Sequence, residues 1–434
     1  MNYKKFLPYL VAIILFAIIN IIQFSPIFSG KTLMQGDIVR FKGMAQEATE
    51  FRNTNHSEAL WTNSMFGGMP AYQISTQYPG NWLNKIDQVF HIFMPHPSGY
   101  VFLFFFGFFI LLLCLEVNPW LAIVGALAYG FSSYFFIILE AGHNSKANAI
   151  GYLAPVLGGI ILLMRGKHWL GFAVTLLFMA MELNANHVQI SYYGFMLFGL
   201  VILSYGIYAF QQKNIKPFFI ATAIFIGATV LSILPNTGNL LATYEYGNYT
   251  IRGKSELTID ANGKSKSNIS TSGLDKDYAT QWSYGVGEIG TLLIPNFKGG
   301  ASSSIGSADK DALKAVDGQM REQIAGSNAY FGTQPFTSGP VYIGSIVILL
   351  AFLGLFIIKH PIKWALLAAT ILSITLSWGK NFMGLTSLFM DVLPGYNKFR
   401  AVSMILIIAE LTIPLLAILA LDAFIKLSEK SEEI

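Results

Sequence analysis

Charge is what this sequence has least of. Only 12% of its 434 residues are Asp, Glu, Lys or Arg, about half the share of an ordinary soluble domain. With 53% hydrophobic residues and a positive mean hydropathy, that shortage excludes a solvated globular surface and points to an integral membrane protein. Cysteine is nearly absent too: Cys114 stands alone inside an apolar run, so no intramolecular disulfide can form. The net charge of +4 is small and scattered, which excludes a basic surface for nucleic acid. There is no phosphate-cradling Gly-rich loop, no HExxH metal pair, no heptad and no internal repeat. Those absences argue against a nucleotide site, the commonest zinc hydrolase and the duplicated halves of many transporters.

What is present is apolar length. A bilayer takes about twenty apolar residues, and runs of that kind fall near 6–27, 99–116, 119–138, 149–164, 168–182, 189–210, 216–234, 341–358, 362–377 and 401–424. The expectation is an all-α polytopic membrane protein with about ten transmembrane helices. The first run follows MNYKK and lacks a small-x-small cleavage site, so it reads as a retained helix rather than a signal peptide. Pro119, Pro155 and Pro414 fall at the ends or inside of these runs, where a helical bundle tolerates them.

Basic residues set the orientation. Lys4, Lys5, RGKH at 165–168, QQKNIK at 211–216, KHPIK at 359–363, Lys426 and Lys430 all land on one side if ten helices are counted. That side is expected to be the cytoplasm, with both termini there and a short tail over 425–434. The other side receives a first outer loop over 28–98 with interfacial helices, a large loop over 235–340, and the turns EAGHNSKANA and ELNANHVQ. The large loop is rich in Gly, Ser, Thr and Asn, which favours turns and short strands. Sequons at Asn55, Asn248 and Asn268 arise often by chance.

Polar chemistry collects at the outer helix ends, which suggests a shared polar cavity. In QGDIVRF, Gly36 frees the backbone just before Asp37. The following residues could form a helix lying on the membrane, with Met44, Ala48 and Phe51 on one face. Asp37 is then either a general base at the lipid boundary or the N-cap of that helix. Glu140, His143 and Asn144 share a face at i, i+3 and i+4 if their helix continues, and Lys146 adds a cation able to meet a phosphate; a hydrated turn is the alternative. Glu182 and Asn186, one turn apart, with His187 and Gln189 beside them, suit sugar hydroxyls or simply satisfy a loop. The two Glu and two His of these turns leave a divalent metal open, without a ligand spacing that specifies one. Trp282, Tyr284, Tyr330 and Phe331 could stack on a sugar or anchor at the interface, and Lys398 and Arg400 could clamp a phosphate or snorkel.

Taken together, QGDIVR, EAGHNSKANAIGYLAPVLGGI, NHVQISYYG, DYATQWSYG and YFGTQPFTSGPVYIG resemble the bacterial YfhO-like membrane proteins of the glycosyltransferase-C superfamily. The resemblance runs over nearly the whole chain. It implies a glycosyltransferase-C bundle that moves a sugar from a polyprenyl-phosphate carrier to a glycopolymer, glycolipid or protein on the outer face of the cytoplasmic membrane, inverting the anomeric carbon. It also implies that Asp37 deprotonates the acceptor hydroxyl and that the second acid falls on Glu140. Lys146 and Arg400, chosen by position and charge, are expected to meet the carrier phosphate. A transporter or flippase of lipid-linked glycans and a non-catalytic membrane scaffold are the competing readings. The flippase would want charged or broken helices near the midplane, and these runs are largely free of them at their centres.

Overall fold

The computed structural model describes residues 6–254 and 273–432, with side chains to residue 428. Lys4 and Lys5, the sequon at Asn268 and the side chain of Lys430 lie outside the described residues. Every one of the ten apolar runs is helical, as a chain must be where no water can satisfy its backbone. Among the described residues, four helices are long and apolar enough to cross a membrane: Asn144–Met164, Val188–Gln211, Lys216–Gly247 and Val402–Ser428. Two bent pairs raise the number to six: Pro119–Gly130 with Ser133–Ala141 at 47°, and Ile362–Ser377 with Gly379–Val392 at 110°. Leu7–Gln23, Ser98–Cys114 and Ser345–Ile357 are apolar but shorter. The chain is thus a helical membrane protein.

It divides into two compact units. The first comprises Met1–Asn236, Ile343–Ala368 and Glu410–Ile434. Its centre is the helix Asn144–Met164, whose residues are buried from Ala147 to Leu163. Small residues let its neighbours approach: a Cβ on Gly107 would run into the Gly151 carbonyl, and one on Gly159 would strike the Thr175 backbone. Around these contacts lies an aromatic core, with Phe104 stacked on Phe135 at 4.2 Å and Phe108 on Tyr129 at 4.5 Å.

The two ends of this unit differ in chemistry. At one end Glu116 pairs with Arg165 and, at 2.5 Å, with Lys167, closing two adjacent turns. The connections rich in amides and histidines gather elsewhere, around Gln35, Gly142 and Asn184. The segment 28–98 carries the helix Gly36–Asn55, a two-residue hairpin pairing Trp61–Thr62 with Met69–Pro70, and the helix Trp82–Phe90.

Two local expectations are corrected. Asp37 is not a cap: Gln35 is the N-cap and Asp37 lies in the first turn, where the helix dipole favours a carboxylate. Gly36 has no positive φ, so the chain turns into the helix through the extended Gln35. Ala45 and Ala48 of that helix are buried in the protein, and Phe51 is exposed.

The second unit, Thr237–Tyr342 with Ala369–Ala409, has a small core of its own. Among its described residues are short helices and a hairpin, Gly299–Ser304 against Asn328–Tyr330. The strings DYATQWSYG and YFGTQPFTSGPVYIG meet on a single buried carboxylate. Glu288 accepts from Tyr330 Oη at 2.6 Å, from the Gly285 amide at 2.9 Å, and from Gln334 Nε2 at 3.2 Å. Tyr284 and Tyr330 are therefore core side chains rather than sugar platforms.

Candidate functional site

Helix breaks build the site. Helix Ser133–Ala141 ends at Gly142, whose φ of +92° only glycine adopts without strain, and helix Asn144–Met164 begins directly afterwards. The break parts Glu140 from His143 and Asn144, so the three do not share a helix face as the spacing predicts. Glu140 is exposed, and its carboxylate makes no hydrogen bond or ion pair among the described residues. His143 instead turns toward the segment 28–98, placing Nε2 3.2 Å from Asp37 Oδ2. Asp37 is 48% exposed, and Arg40, one turn on, reaches to 3.8 Å.

Lys146 lies behind this pair. It is only 5% exposed, and its ammonium stands 5.7 Å from the ring centre of Tyr134. No carboxylate lies within ion-pair distance of it among the described residues, though Asp37 is within electrostatic reach. His187 belongs to the same cluster. Burial first, and then the charge of Lys146, hold its imidazole well down, to about 4. Its Nδ1 is buried without a hydrogen-bond partner. Asp37, His143, Lys146 and His187, singled out separately in the sequence, thus form one group: a half-exposed carboxylate backed by two imidazoles and a buried cation.

The remaining candidates go elsewhere. Helix His168–Asn184 ends before Asn186, which takes a φ of +54° in the following turn and is exposed, so Glu182 and Asn186 are not one helical turn apart. Glu182 is buried and accepts from Ser191 Oγ at 2.8 Å, while its other oxygen has no partner. Gln189 donates to Tyr193 Oη one turn along its own helix, at 2.9 Å. Asn144 is tied to Gln35 and His96. Lys398 and Arg400 belong to the second unit. There Lys398 donates to the Arg252 carbonyl, at 2.5 Å, and Arg400 to Tyr278 Oη, at 2.8 Å. Among the described residues no group of three or more His, Cys, Asp and Glu side chains could hold a metal ion.

Sequence reasoning missed two features. One is a polar network along the helix Asn144–Met164: Asn148 donates to Asp87 at 2.9 Å and meets His91 Nε2 at 3.1 Å, and Tyr152 donates to Asp87 at 2.7 Å. The i, i+4 spacing of Asp87 and His91 was its visible signal. The other is Glu410, fully buried inside the apolar helix Ile407–Glu432 and hydrogen-bonded by Ser132 at the bend between Pro119–Gly130 and Ser133–Ala141. No family model matches this chain, and neither does any curated protein or solved structure.

Proposed function

We propose that this membrane protein is a glycosyltransferase that moves a sugar from a polyprenyl-phosphate carrier to an acceptor on the outer face of the bacterial cytoplasmic membrane. The observation that carries the reading is the group around Asp37: an accessible carboxylate 3.2 Å from His143, with the buried ammonium of Lys146 within electrostatic reach. Such a group offers a proton acceptor and, behind it, a positive charge that acts on an anion through space. Asp37 removes the proton from the acceptor hydroxyl, the oxygen attacks the anomeric carbon from the face opposite the carrier, and the carrier phosphate leaves with the bonding pair. Lys146 meets the charge that develops on the departing phosphate. His143 orients the carboxylate. The proposed step uses side chains of the first unit only. Glu140 as a second acid rests on the resemblance alone.

One observation favours a second reading, transport of a lipid-linked glycan. Glu410 is an ionisable residue buried in an apolar helix beside a bent helix pair, and such residues mark translocation pathways in many carriers.

The test is transfer of labelled sugar from a panel of polyprenyl-phosphate sugars to endogenous membrane acceptors, with the native chain and Asp37→Asn. Loss of a general base lowers turnover roughly 10²- to 10⁴-fold. The Asp37–His143 pair is half-exposed on both sides, so its loss costs under about 1 kcal/mol of stability. A folded variant with native turnover removes Asp37 from the chemistry. If glycan moves across proteoliposome membranes without transfer, and Glu410→Gln stops it, the transport reading prevails.

A further inference from the structure

We infer that Gln35, Asn144 and His96 form a positioning relay that holds Asp37 against His143, with Asn144 serving as a positioning residue rather than a sugar ligand. The functional consequence rests on the reading of Asp37 as the base; the relay itself rests on geometry.

Gln35 is the N-cap of the helix that carries Asp37, yet its side chain does not cap that helix. It turns into the bundle instead and is 3% exposed. Its Nε2 donates to the Leu139 carbonyl and, at 3.1 Å, to Asn144 Oδ1. One amide therefore fastens the start of the Asp37 helix to both helices flanking Gly142. On the other side Gly142 gives the backbone room: a Cβ there would stand 3.2 Å from Asp37 Cβ, Gln35 Cβ and the Ile38 nitrogen. Asp37 is thus confined by a staple two residues before it and by close backbone contact across Gly142.

The polarity of the relay follows from one fixed end. The Leu139 carbonyl can only accept, so the group of Gln35 facing it is Nε2, and the Asn144 atom facing that Nε2 is Oδ1. Asn144 Nδ2 then has two hydrogens to place. One goes to Gln35 Oε1 at 3.3 Å, the other to His96 Nε2 at 2.9 Å. His96 Nε2 must accept, so the ring carries its proton on Nδ1 and is neutral. Its burial, and the neighbouring His91, favour the same state. With both amide hydrogens committed, Asn144 has no donor left for a sugar hydroxyl.

The experiment follows the His143 titration by NMR in the full chain, histidine-labelled and held in lipid nanodiscs, with Asp37→Asn as the reference for a lost neighbouring anion. Removing that anion lowers the His143 pKa. Gln35→Met, similar in size but unable to hydrogen-bond, is expected to move the titration at least halfway to the reference. In the transfer assay the same variant should lower kcat roughly 10- to 100-fold with KM nearly unchanged. His96→Phe should act in the same way, whereas His96→Gln, whose amide oxygen can accept from Asn144, should restore the native titration. The relay is overturned if folded Gln35→Met and His96→Phe both keep the native His143 titration, or if His143 does not respond to Asp37→Asn. Should Gln35→Met fail to fold, the two His96 variants decide. Absence of transfer by the native chain overturns the transferase reading while the titrations still decide the relay.

Discussion

Replacing Lys146 by Met should make the protein more stable and abolish the anion site proposed at this residue. The side chain is 5% exposed, and taking an ammonium out of water costs several kcal/mol even after local relaxation. Little offsets that cost. No carboxylate lies within ion-pair distance among the described residues, the Tyr134 ring at 5.7 Å contributes about 1 kcal/mol, and Asp37, 48% exposed, is screened by water. Met has nearly the same length and no charge to bury, so the variant should gain roughly 1–3 kcal/mol, the range seen when buried ionic groups are replaced by apolar ones of similar volume. The assay is thermal unfolding in nanodiscs, with and without polyprenyl phosphate. The native chain should be stabilised by the lipid, and Lys146→Met should start higher and not respond. A variant that unfolds earlier than the native protein would mean that the ammonium is paired within the fold, and the argument for an anion-receiving site would collapse. Retained response to the lipid would move that site elsewhere.

Other residues give independent checks. Glu288→Ala removes the acceptor of both the Tyr330 O–H and the Gly285 amide, and a buried donor left without an acceptor costs about 1–3 kcal/mol; limited proteolysis should then cut within 273–342 at lower temperature, and Glu288→Gln should lie between. His187 is held down to about 4 by burial and by Lys146, so its neutral form is the native one. That stability, up to roughly 3 kcal/mol, is fully present above the ordinary histidine value of 6.5 and is lost as pH falls through the folded value near 4. Unfolding midpoints between pH 8 and 4 should fall steeply at the acid end, and less so in His187→Leu. Glu410→Gln keeps the Ser132 contact and removes an ionisable group from the apolar helix, so it should unfold no earlier than the native chain. Glu410→Ala should lose about 1–3 kcal/mol by leaving a gap and removing the acceptor of the Ser132 hydrogen bond.

Which parts were legible in the sequence follows from the range of the forces involved. The helices could be read because a twenty-residue apolar run has few structures open to it in a bilayer. Composition alone was enough for Asn144–Met164 and Val188–Gln211. The clustering of Asp37, His143, Lys146 and His187 was partly legible, since charges excluded from apolar spans must collect in the connections. Their contacts were not. Whether Glu140, His143 and Asn144 share a face depends on whether one helix continues through Gly142, and the φ of +92° says it does not. The glycine itself was the signal, being the commonest residue just past a helix end. The same holds for Glu182 and Asn186, parted by a helix that stops at Asn184.

The network beneath the site escaped for a different reason: its partners are some fifty to a hundred residues apart. Asn144, Asn148 and Tyr152 follow one another at i, i+4 and i+8, a polar stripe on a helix whose other side packs on apolar neighbours. A stripe of that kind, buried in a membrane bundle, must find partners or pay the full desolvation cost of each amide. It finds them in the two ends of the segment 28–98: Gln35 at its start, and Asp87, His91 and His96 near its end. Loop residues so bound lose the freedom that ordinarily blurs a loop-borne carboxylate. A general base needs that rigidity, since misplacing a reacting group by about 1 Å can cost a hundredfold in rate. The spacing of amides along one buried helix therefore bears directly on where Asp37 stands, even though none of those amides touches it.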